Sequence, residues 1–89
     1  MTTSDLVEWL AGQLAKSRRE LQARERSAAT WSGGTAADWR ASSRVAGKKV
    51  PTKKERLQSA ARERRIAEKC RHDVAAIEEL TAIVTARDS

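Results

Sequence analysis

Eighty-nine residues with a formal net charge of +6 make one domain at most, and a chain this size buries only about 60–65% of the surface that its unfolded form exposes. Sixteen alanines, three Trp, no Phe and no Tyr supply little large apolar surface, so self-association is the expected source of further burial. One Cys excludes an internal disulfide and fits a reducing cytoplasm, and no apolar run longer than Val74-Ala75-Ala76-Ile77 is present to span a membrane.

From about Asp5 to Ala29 the apolar residues recur at helical spacing. Ser4 or Asp5 is the expected cap, and Asp5 and Glu8 suit the positive end of the helix dipole. Acidic residues before the first basic one, with no long apolar run, do not read as a signal peptide. Val7, Leu10, Leu14, Ser17 and Leu21 alternate three and four apart, which is a coiled-coil seam. The seam weakens toward its C-terminal end, where Ser17, Arg24 and Ala28 stand in place of large apolar groups. Gly12 falls on the opposite side and costs about 1 kcal/mol relative to Ala.

The connection 30–51 is too long for a simple turn between helices. Trp31-Ser32-Gly33-Gly34 reads as a helix stop. Thr35-x-x-Asp38 is a capping-box pattern and Gly47 a C-terminal cap, so a short helix over 36–46 fits, with Trp39 as its one large anchor. A Ser/Ala/Gly-rich loop is the competing reading.

After Pro51, Thr52-x-x-Glu55 again has the capping-box pattern, and no Gly or Pro interrupts 53–86. The expected apolar stripe is Ile66, Cys70, Val74, Ile77, Leu80 and Val84, with Ile83 at its margin. Upstream, the same face carries Glu55, Ser59 and Glu63, so this half reads as polar nearly all round. An antiparallel arrangement lays Leu6–Leu14 against Val74–Val84 and brings both polar ends to the connection. The fold expected is all-α: a single helical hairpin of two long helices, with a short middle helix or ordered loop.

Charge is concentrated along the chain. Between Lys48 and His72 stand ten Lys/Arg and three Glu, while the remaining residues hold eight basic and nine acidic side chains. Lys54, Gln58, Arg62, Arg65, Lys69 and His72 project along one side of the last helix, and Lys48, Lys49, Lys53 and Arg56 crowd its start. Regularly spaced cations on a helix can neutralise phosphates and release counterions. Lys53, Lys54 and Arg56 oppose the helix dipole, so they do not serve helix stability. Lys48, Lys49, Lys53, Lys54, Arg62, Arg65 and Lys69 are therefore candidate contacts to nucleic acid or another polyanion. The plainer reading is a solvated face with pairs such as Glu20–Arg24 or Arg64–Glu68.

Trp9 lies at the edge of the first seam and reads either as an anchor for a partner or second copy, or as a cover for the hairpin core. Trp31 and Trp39 could stack on unpaired bases beside Arg40 and Arg44, or pin the connection to the scaffold. Trp9 and Trp39 are the candidate partner-interface residues. Cys70 and His72 diverge by about 200° on a helix and cannot share a metal within one chain. No Gly-rich phosphate loop, paired-carboxylate site or Ser/His/Asp set can be assembled, so no catalytic residue, metal, cofactor or small-molecule substrate is expected.

Asp5-Leu6-Val7-x-x-Leu10, a Trp soon after the first helix, and Arg71-His72-Asp73 ahead of an Ala-rich helix resemble an uncharacterised family of small actinobacterial and actinophage proteins. That family pairs such a helix with a late Arg-His-Asp-Pro stretch. Here Val74 stands where the Pro would be, and the Trp/Gly/Ser segment replaces a strand-like middle. The resemblance covers about a third of the chain and implies a host group but no activity. Together these readings lead to a cytoplasmic, non-enzymatic interaction module that binds a polyanion through its basic helix, forming a homodimer or joining a protein partner. The alternative is a protein–protein adaptor or small structural protein with no nucleic-acid role.

Overall fold

A computed structural model describes residues 2–87 as three helices in sequence: α1 (Thr3–Ser32), α2 (Ala36–Ala46) and α3 (Lys53–Arg87). No strand occurs among the described residues. The long helices α1 and α3 pack against one another, giving an all-α hairpin. Its 58 Å long axis matches α3, whose 35 residues span ~52 Å at the helical rise.

Local chemistry sets each boundary. Thr2, rather than Ser4 or Asp5, caps α1: its hydroxyl accepts from the Asp5 amide at 3.1 Å, and Asp5 accepts in return from the Thr2 amide. α1 runs three residues past the expected end, so Trp31 and Ser32 belong to the helix, and Gly33 stops it with an extended backbone. α2 occupies the span its capping signals marked. The Thr35 amide donates to Asp38 at 2.9 Å, which holds the Asp38 carboxyl below the usual carboxylate range. Gly47 ends α2 at φ 66°, a left-handed turn that lets the Lys48 amide donate to the Ser43 carbonyl. Thr52 and Glu55 form the expected capping box at the head of α3.

The two helices run antiparallel. On one flank Arg18 meets Glu78 at 3.0 Å, Glu25 meets Arg71 at 3.1 Å, and Ser32 accepts from Arg64 at 2.7 Å. These contacts step seven residues up α1 as they step seven down α3, which is what a constant antiparallel heptad register gives.

The seam of α3 differs from the apolar stripe expected for it. The covered positions are Arg56, Ala60, Glu63, Ala67, Cys70, Val74, Ile77, Thr81 and Val84, alternating four and three along the whole helix. Ile66 sits beside this line, and Leu80 lies outside it, 46% exposed, with Thr81 in its place. The seam therefore does continue into the polar half. Glu63 is only 8% exposed, and Arg24 of α1 donates to both its carboxylate oxygens at 3.1 and 3.3 Å. The hydrogen bond and charge of Glu63 hold the Arg24 guanidinium more firmly protonated. Ala28, Ala60 and Ala67 are buried on the same stretch, their small size leaving room for the pair. The two apparent defects of the separate helices complete one another across the interface.

At the open end Leu10 is 1% exposed, while Val7, Leu14, Leu21, Val74, Ile77 and Val84 are half-buried because two helices cover only one side of each other.

Candidate nucleic-acid interface

The interface begins with what the seam excludes. Because the covered line of α3 runs through Ala60, Glu63 and Ala67, residues about half a turn away point outward. Gln58, Arg62, Arg65, Lys69 and His72 lie on that outer face, with Lys54 at its start, and all are exposed. Lys48 and Lys49 are exposed in the segment leading into the helix, and Lys53 is exposed at its first position.

The cations of this segment divide into two groups. Arg56, Arg64 and Arg71 turn toward the hairpin and are engaged: Arg56 sits 5.5 Å from the Trp39 ring centre, Arg64 donates to Ser32, and Arg71 pairs with Glu25. Lys48, Lys49, Lys53, Lys54, Arg62, Arg65 and Lys69 have no ion-pair partner among the described residues. The expected Arg64–Glu68 pair does not form, because Arg64 reaches across to Ser32, and Glu68 approaches His72 at 4.0 Å instead. Glu20–Arg24 is present at 4.0 Å as a minor partner to Glu63.

Folding also polarises the rod. The connector end, residues 24–65, holds twelve basic and four acidic side chains. The open end, residues 2–17 and 73–87, holds two basic and five acidic ones. Arg40 and Arg44 on α2 are exposed and extend the positive end; the sequence placed them beside Trp39 but did not count them among the candidates. Arg19 and Arg26, one heptad apart on the outer side of α1, were missed, and only the heptad register separates them from the inward Arg24.

Trp31 and Trp39 stack on one another, with ring centres 5.2 Å apart and planes at 15°. The Trp39 indole N–H donates to the Gly33 carbonyl at 2.9 Å, so the pair pins α2 to the end of α1. Gly34, at φ 81°, takes a left-handed backbone that favours glycine, while a Cβ there would only make ordinary contact with the indole nitrogen at 3.4 Å. Trp9 is 55% exposed at the open end. Heptad positions put Leu6 and Trp9 on the flank opposite the ion pairs, beside Leu80 and Ile83 of α3, the latter 46% exposed.

Cys70 is buried in the seam, which pushes its thiol pKa up. No group of three or more His, Cys, Asp or Glu that could hold a metal ion occurs among the described residues, and no helix there is long and apolar enough to cross a membrane. No family model matches this chain, and no curated protein or solved structure is similar to it at a significant level.

Proposed function

We propose that this protein is a non-enzymatic interaction module that docks the outer face of α3 on nucleic acid. One observation carries the reading: seven exposed cations, Lys48, Lys49, Lys53, Lys54, Arg62, Arg65 and Lys69, have no ion-pair partner among the described residues, while their neighbours Arg56, Arg64 and Arg71 are engaged by the hairpin. Unpaired like charges gathered on the outer face and at the head of α3 repel each other and contribute nothing to packing, but they attract a row of phosphates. Lys53 and Lys54 add to this, because they stand at the positive end of the α3 dipole, where an anion and not a cation is stabilised.

The test is Arg62→Glu combined with Arg65→Glu, read as anisotropy of a labelled nucleic acid. Both positions are exposed, so the far-UV circular dichroism spectrum should be unchanged while binding is nearly lost. Binding equal to the parent protein would reject the reading.

A second reading is favoured by Trp9, Leu80 and Ile83, which are exposed and which heptad position puts on one flank of the acidic end. This is a protein adaptor or homodimer held by that patch. On this reading Trp9→Ala dissociates the assembly in light scattering and the charge reversal is silent. A cytoplasmic location follows from the single Cys, and an actinobacterial or phage source from the resemblance of the two motifs.

A further inference from the structure

We infer that the nucleic acid bound is a double helix, held along its phosphates without base stacking; this rests on the nucleic-acid reading above. Proteins that hold single strands combine a basic groove with open aromatic faces on which bases stack. The chain has three Trp and no Phe or Tyr to provide such faces. Trp31 and Trp39 are half-buried against each other, with Arg56 over the Trp39 ring and its N–H bonded to Gly33. Trp9 is open, but it lies at the acidic end, ~20 Å along the rod from Lys69 at the helical rise. Trp31 still borders a surface cavity beside Lys53, but a single aromatic there cannot stack successive bases along a strand.

What the cations do offer is a straight, fixed row. From Lys54 to Lys69 the outer face extends ~22 Å, about two-thirds of a duplex turn. A rigid row of this kind matches a rigid row of phosphates better than a flexible strand, whose ordering would oppose binding.

Shape limits how deep the contact goes. The hairpin is 20 × 15 Å in cross-section, whereas a major groove is about 12 Å wide and accommodates a single helix. The outer face of α3 points away from α1, and its long Lys and Arg side chains meet the phosphates at the lips of the groove first. Contacts then fall on phosphates, which position a protein but carry no sequence information.

Anisotropy titrations of the full chain test this. The probes are a labelled 24-base-pair DNA duplex, a scrambled duplex of the same composition, and one 24-nucleotide strand, all at one salt concentration with Trp emission followed. The expected result is that the duplex binds at least about ten-fold tighter than the strand. The scrambled duplex should bind within about two-fold of the first, and the strand should leave Trp emission unchanged. A strand that binds as tightly as the duplex, or quenches Trp emission, would overturn the inference while leaving the nucleic-acid reading standing. A strong preference between the two duplexes would do the same. Failure of every probe to bind would remove the nucleic-acid reading itself, and this inference with it.

Discussion

Two leucines at the open end of the hairpin separate the observed seam from the stripe expected of α3 alone. Leu10 is 1% exposed and Leu80 is 46% exposed, although both looked like core residues in their own helices. Truncating a fully buried leucine removes its transfer energy and leaves a cavity, for a cost of about 3 kcal/mol or more. A chain of 89 residues has a total stability of roughly 4–13 kcal/mol, so Leu10→Ala would remove a large share of it. Leu80→Ala loses only the covered half of its side chain, about 1 kcal/mol. Urea unfolding followed by circular dichroism at 222 nm reads both. At a slope of about 1 kcal/mol per molar, the midpoint should fall by about 3 M for Leu10→Ala and about 1 M for Leu80→Ala. Equal shifts at low protein concentration would refute the seam. Equal shifts that appear only at high concentration would instead put a second copy over Leu80.

Three further outcomes follow from the same geometry. Gly12 is helical, and a Cβ there meets nothing within 4 Å, so Gly12→Ala should stabilise the protein by about 1 kcal/mol and raise Tm by several degrees; a fall in Tm would show that the site is not free. Arg24→Glu and Glu63→Arg should each destabilise the hairpin, and the double exchange should recover most of the loss, since the pair is a local unit with few other partners; additive losses in thermal unfolding would contradict the pairing. Cys70, buried with its thiol pKa raised, should be alkylated slowly in the native protein and at the rate of a free thiol in urea; rapid native labelling would place it outside the seam.

The helices were legible where local chemistry decides them. Thr35, Asp38 and Gly47 mark α2 because capping residues act within a few positions of chain. The hairpin was legible from Leu6–Leu14 and Val74–Val84, whose apolar ends agree only when the helices run antiparallel. Glu63 was not legible: a carboxylate on a helix face looks like a break in the stripe until the other helix supplies Arg24, and neither helix alone contains that information. Leu80 and Thr81 are adjacent, and a drift of a few degrees per turn decides which one faces the partner. The cation face could be listed residue by residue, yet the distinction between Arg64, which reaches Ser32, and Arg65, which faces solvent, exists only across the hairpin.

Salt dependence tests most directly whether the outward cations of α3 are what nucleic acid meets. Affinity for the DNA duplex, measured from low to physiological salt, should fall linearly on logarithmic axes. The slope should be about −4 if Lys54, Arg62, Arg65 and Lys69 carry the contact, approaching about −6 if Lys48, Lys49 and Lys53 join them. Arg62→Glu with Arg65→Glu should flatten that line by about two along with the loss of affinity. A slope near zero, or one that the double reversal leaves unaltered, would contradict the account.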